Sequence, residues 1–123
     1  MNKIFLIIIC CFVILPCFSA EWVQTGAKRY IDKSSVDRSN FGYVRFWEKA
    51  LNDGTREDID GKKIWYTMGY YDLKCSNKTS RILSLAVYDI KGKLIFSDTN
   101  SKTPFEPIIP ETYTEVYYNI LCK

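Results

Sequence analysis

Past its first twenty residues the chain is patterned almost throughout with a period of two, apolar and polar positions alternating as they do along strands with two distinct faces. Trp22-Val23-Gln24 and Arg29-Tyr30-Ile31 read as a short opening hairpin around Gly26, and Asp32-Lys33-Ser34-Ser35 as a turn whose side chains bond their own backbone. Tyr43 to Leu51 is a strand entered through Asn40-Phe41-Gly42. Asn52 to Lys63, with Asp53-Gly54 and Asp60-Gly61, is a polar loop. Ile64 to Lys74 and Ser80 to Ile90 are long strands, joined through the turn Asn77-Lys78-Thr79. The tight Lys91-Gly92-Lys93 turn leads into Leu94-Ile95-Phe96-Ser97 and closes a hairpin.

The period changes once. Pro104 to Pro110 excludes a helix or a central strand, and Thr112 to Glu115 then has the spacing of a capping box, in which each residue bonds the other's amide. From there Tyr113, Val116, Tyr117, Ile120 and Leu121 fall on one helical stripe that should meet a sheet. The fold class is therefore α+β: an antiparallel sheet of about six strands, with one C-terminal helix packed on one face.

The first residues are of another kind. Lys3 is followed by an uninterrupted apolar run from Ile4 to Leu15, then Pro16 and the small-x-small set Cys17-Phe18-Ser19. This is the pattern of a secretory signal peptide, residues 1–20, cleaved after Ser19 or Ala20. The run is shorter than the ~20 residues that span a bilayer, and Pro16 fits poorly before a lipid-bearing Cys17. A single domain, residues 21–123, is left. It keeps only two of the five cysteines, Cys75 and Cys122, and an even pair in an oxidising compartment reads as one disulfide. Closing a loop of about fifty residues contributes roughly 4 kcal/mol in the chain-entropy picture, a large fraction of a small domain's stability.

The disulfide also assigns the faces of the long strand. Cys75 shares parity with Leu73, Tyr71, Gly69, Thr67 and Trp65, which places those on the helix side, with Gly69 allowing the helix to approach. Ile64, Tyr66, Met68 and Tyr70 then form the other face, joined by Tyr43 and Trp47 of the preceding strand. One helix cannot cover both faces. The second is closed by the proline-rich segment, by sheet coiling or by another molecule, which makes Trp47, Tyr66, Tyr70 and Tyr43 candidate interface residues. A second copy of the chain is the first candidate occupant and a host protein the second, with Lys74, Lys78 and Arg81 as steering charges.

Charge and chemistry narrow the function mainly by exclusion. The chain carries a net charge of +3, one unit of which is Lys3, and this is too little for a nucleic-acid footprint. There is no histidine, which removes serine-histidine and cysteine-histidine nucleophiles and the usual zinc sites. Asp53, Glu57, Asp58 and Asp60 are interleaved with Arg56, Lys62 and Lys63, a solvated loop rather than a carboxylate pair or a calcium loop. No glycine-rich phosphate loop occurs. The sequence thus offers no catalytic, cofactor-binding or metal-binding residue, and no membrane span once the signal is gone.

Taken in order, Glu21-Trp22, Tyr30-Ile31-Asp32 with Ser35, Val44-Arg45-Phe46-Trp47, Tyr71-Asp72-Leu73-Lys74-Cys75, Arg81 with Leu83-Ser84-Leu85, Tyr88, Ser97-Asp98, Phe105 to Pro110 and a terminal helix ending in Cys122 resemble the surface-adhesin protein E family of small exported bacterial proteins. Phe105 stands where that family would have tryptophan, an exchange of one large apolar anchor for another. The resemblance implies an antiparallel sheet with a disulfide-held C-terminal helix, and for the characterised adhesin it implies surface display, dimer formation and binding to host matrix proteins and plasminogen. No family binding motif maps onto particular residues here. Two functions follow: an exported, non-enzymatic adhesin, or a periplasmic or envelope-associated structural protein with no adhesive role.

Overall fold

The structure, a computed structural model, describes residues 19–52, 57–58 and 60–123. The proposed leader, apart from its last two residues, and the Asp53 end of the acidic loop lie outside the described residues. The strands are β1 (Trp22–Gly26), β2 (Arg29–Asp32), β3 (Tyr43–Leu51), β4 (Glu57–Asp58), β5 (Lys62–Lys74), β6 (Thr79–Asp89), β7 (Leu94–Thr99) and β8 (Glu106–Pro107), followed by one helix, α1 (Tyr113–Leu121). All pairings are antiparallel, in the order β1-β2-β3-β5-β6-β7, with two-residue β4 on β5 and two-residue β8 on β6. The six long strands are those the alternation marks. The Pro104–Pro110 segment supplies an edge contact only, as its missing amides require.

Turn chemistry sets the hairpins. The Asp89 carboxylate accepts from the amides of Lys91 and Lys93, both at 2.9 Å, and Gly92 takes a φ of +79° that a side chain would resist. β3 pairs with β5 from Tyr43↔Lys74 to Leu51↔Tyr66 without a break, so one residue of register decides every side chain's face. Val44, Phe46 and Leu73 thereby point inward, where they meet Ile31, Ile108, Tyr117 and Leu121 in the core. Phe46 stacks on Tyr71 at 5.6 Å and meets Tyr117 edge-on at 5.4 Å. Cys75 and Cys122 are bonded, with Cα atoms 5.5 Å apart.

Four local expectations are corrected. The helix's seam is rotated from the stripe read in the sequence: Tyr117 and Leu121 are buried, whereas Tyr113, Val116 and Ile120 are exposed. The cause is the tether, because Cys122 must reach Cys75 and the Tyr118 hydroxyl donates to the Cys75 carbonyl at 3.3 Å, which turns the helix toward that side. Trp65 does not pack under the helix. β5 carries an extra residue there relative to β6, and this bulge breaks the parity, leaving Trp65 47 % exposed. Gly69 makes room for the Tyr71 ring rather than for the helix, since a Cβ would lie 2.8 Å from Tyr71 Cε2. The cap is one-sided: Thr112 Oγ1 accepts from the Glu115 amide at 3.3 Å, but Glu115 accepts from the amide of Glu111, not of Thr112.

Candidate binding face

The face turned away from the helix is built by the residues between the inward ones. β3 gives it Tyr43, Arg45, Trp47 and Lys49, β5 gives Tyr66, Met68, Tyr70, Asp72 and Lys74, and β6 gives Arg81, Ser84, Ala86 and Tyr88, all aligned by the pairing register. Its two ends differ in kind.

At one end the chain closes over itself. Asp72 is fully buried, with Oδ2 paired to Arg81 Nη2 at 3.0 Å and Arg45 Nε at 3.5 Å. Arg81 donates on to the carbonyls of Thr103 and Ser101 at 3.3 and 3.5 Å and lies over the Phe105 ring at 4.2 Å. Phe105 in turn meets Tyr43 at 5.8 Å. The segment after β7 is thus strapped across this end by an ion triad and an aromatic contact, one of the three closures the sequence left open. Of the steering charges expected here, Arg81 is spent on Asp72, and Lys78 turns to the helix, pairing with Glu115 at 3.1 Å. Lys74 sits over the Tyr43 ring at 5.8 Å.

The other end carries rings with no strap among the described residues. Trp47 and Tyr70 pair across β3 and β5 at 4.9 Å, and Tyr66 and Tyr88 stack across β5 and β6 at 4.6 Å. Trp65 meets Tyr66 edge-on at 5.2 Å. Lys49 Nζ lies 4.5 Å from the Tyr66 ring centre and 5.6 Å from that of Trp22, a cation held by ring quadrupoles. The four paired rings are half-buried. Burial among these rings, and then Tyr88 beside it, raises the Tyr66 phenol above its ordinary pKa. Of the four sequence candidates, Trp47, Tyr70 and Tyr66 belong to this open end and Tyr43 to the strapped one. Sequence reasoning passed over Lys49, Tyr88 and Trp22. Lys49 shares the parity of Tyr43 and Trp47 on β3 and was legible; Tyr88 and Trp22 needed the register of their strands against the neighbours.

This surface can bind by burying ring area and pairing phenol tips and an ammonium. Among the described residues no group of three or more Cys, Asp or Glu side chains could hold a metal, and no helix is long and apolar enough to cross a membrane.

Comparison with solved structures finds protein E of Haemophilus influenzae at 19 % identity, with 82 % of this chain and 83 % of that one covered and a TM-score of 0.59. A second crystal form gives 17 % identity, 82 % and 86 % coverage and a TM-score of 0.60. Protein E of a non-typeable strain gives 17 %, 88 % and 80 %, and 0.58. At this identity the likeness establishes the fold. No curated protein matches the sequence. The surface-adhesin protein E family model matches residues 20–123, and the chain therefore belongs to that family of bacterial surface adhesins.

Proposed function

We propose that this protein is exported with residues 1–20 removed as a signal peptide, displayed at the cell surface, and attached to a host matrix protein or plasminogen through the open end of its outer sheet face. The reading makes it a binding protein without catalysis or a cofactor. The observation that carries it is the set of half-buried rings Trp47, Tyr70, Tyr66 and Tyr88 around Lys49, which no described part of the chain covers. Rings of this kind bring large area and a polar tip to an interface at small entropic cost. Self-association through the same face is the competing use of it.

Binding of the exported protein to immobilised matrix proteins and plasminogen, compared with its Tyr66→Glu variant, tests the reading, with sedimentation run on both. Saturable binding by the wild type and at least a tenfold loss in a folded variant supports adhesion through this face. A wild-type dimer that becomes a folded monomer assigns the face to self-association. A monomeric wild type whose variant unfolds makes these rings ordinary core. Adding a protease to intact cells separates surface display from a periplasmic, non-adhesive role: the displayed protein is cut, the periplasmic one is spared.

A further inference from the structure

On the helix side, at the β1 edge of the sheet, a groove of about 430 Å³ opens where the core ends. Buried Ile31 and Leu121 line it together with Val23, Val36 and Ile120. Val23 is 45 % exposed and Ile120 51 %, so branched side chains from a strand and from the helix border one opening. The rotated helix seam creates this: a helix seated on its sequence-read stripe would have buried Ile120.

The charged residues at the groove are of one sign. Lys33 and Arg38 line it and no carboxylate does. Lys33 makes no ion pair among the described residues. Arg38 donates to the Leu121 carbonyl at 2.6 Å, which offsets the partial negative charge of the helix's last turn and fixes the guanidinium beside the groove. Its remaining N–H groups keep the fork that suits a carboxylate.

We propose that this groove binds a single-chain anionic amphiphile, a free long-chain fatty acid, with its acyl chain along Val23, Ile31, Val36 and Ile120 and its carboxylate at Lys33 and Arg38. An apolar lining with a few polar groups placed to fix orientation is the usual composition of a small-molecule site, and ~300–1,000 Å³ its usual size. If a methylene fills roughly the 30 Å³ of a liquid water molecule, the groove takes one chain of about fourteen carbons and not the two of a bilayer phospholipid. This site is on the opposite side of the sheet from the proposed adhesive face and does not depend on it.

Isothermal titration of the exported protein with decanoate, octanoate and decanol, all below micelle-forming concentrations, tests the proposal. Decanoate binds at one saturable site, tighter than octanoate by up to about fourfold per methylene, and decanol binds at least tenfold more weakly than decanoate. Lys33→Ala combined with Arg38→Ala loses about tenfold for decanoate and leaves decanol unchanged. Ile120→Asp, at a half-exposed position in the helix's last turn, abolishes both while the variant still unfolds cooperatively, at the cost of a small drop in melting temperature. Equal affinity for decanoate and decanol, or no saturable binding, overturns the proposal. So does binding to phosphatidylglycerol vesicles without binding to decanoate, and so does a wild-type dimer that Ile120→Asp dissociates, which would make a second copy the occupant.

Discussion

The two faces of this sheet are made by the same strands and both carry aromatic rings and an ion-paired buried carboxylate, yet they are sealed differently. On the helix side Glu48 is buried with one cation, Arg29 at 3.2 Å, and the Tyr71 hydroxyl donates to it at 3.5 Å. Burial first, and the Glu48 carboxylate after it, push the phenols of Tyr71 and Tyr117 well above their ordinary range, so both stay protonated. On the outer side Asp72 faces two guanidinium groups that are themselves partly solvated. A tether and a helix cover the centre of the first face and leave a groove at its β1 edge; a strap closes only one end of the second. The difference teaches that apolar alternation sets which residues share a face, while covalent and ionic ties decide how much of that face is left for a partner.

Neighbouring residues on opposite faces give the sharpest test. Phe46 is fully buried under Tyr117, and Trp47 is half-buried beside Tyr70. Phe46→Ala should cost ~3–5 kcal/mol, the range for emptying an aromatic core site, whereas Trp47→Ala should cost about 1 kcal/mol, the scale of one aromatic pair. Denaturant unfolding of both variants checks this, and equal losses would mean the outer face is as much core as the inner one.

Next in size is the tether that separates the faces. Replacing Cys75 and Cys122 together by serine should lower stability by ~2–5 kcal/mol, and since the helix is also placed by the Tyr118–Cys75 hydrogen bond, the effect should be strongest on the inner face. Hydrogen exchange of α1 should rise before that of β5 and β6. Uniform loosening of the sheet would show instead that the bond acts only on the unfolded chain.

What was legible in the sequence, and what was not, divides along the same line. Tyr43 to Leu51 could be assigned residue by residue because β3 runs unbroken against β5, and Cys75 assigned the faces through its bond to Cys122. Trp65 was lost to a bulge, which leaves no mark in a period-two pattern. The helix seam was lost because hydrophobicity favours Ile120 over Tyr118, whereas the tether and the Tyr118 bond to Cys75 turn Tyr118 toward the core and leave Ile120 exposed. The ion triad at Asp72 joins β3, β5 and β6, and such a contact cannot be read from one strand at a time. On the outer face Trp47, Tyr66 and Tyr70 followed from parity alone; that Tyr43 belongs to the strapped end depended on where Phe105 lands.

A smaller effect is expected where the tethered helix begins. Thr112→Ala strands the Glu115 amide and should cost about 1 kcal/mol, which in a domain of this size lowers the melting temperature by roughly 4–8 °C. Thr114→Ala is the control, since Thr114 is not the cap. If the two variants melt alike, the cap geometry carries no stability and the disulfide alone fixes the helix.

The smallest effect comes from carboxylates that hold turns and the start of the helix, and it depends on pH. Asp89 lies below the ordinary carboxylate range because its oxygen accepts from the Lys93 amide and then the Lys91 amide. Glu115 is lowered by its bond from Lys78 and next by that from the Glu111 amide, and Asp37 by its bonds from Ser39. A carboxylate whose folded pKa lies below its unfolded value binds its proton less readily when folded. Its contribution is therefore fully present above the unfolded value, near 3.8 for Asp and 4.5 for Glu, and is lost as pH falls through the folded value. Stability should accordingly be flat with respect to these groups from pH 7 down to about 5 and decline below about 4. Asp89→Asn keeps an acceptor in the Lys91-Gly92-Lys93 turn but removes the titrating charge. Its melting temperature should fall below wild type at pH 7, and the gap should narrow as both are acidified toward pH 3. A gap that stays constant over that range would assign the loss to altered turn geometry and not to ionisation, and the β6–β7 turn would then make no contribution to acid sensitivity.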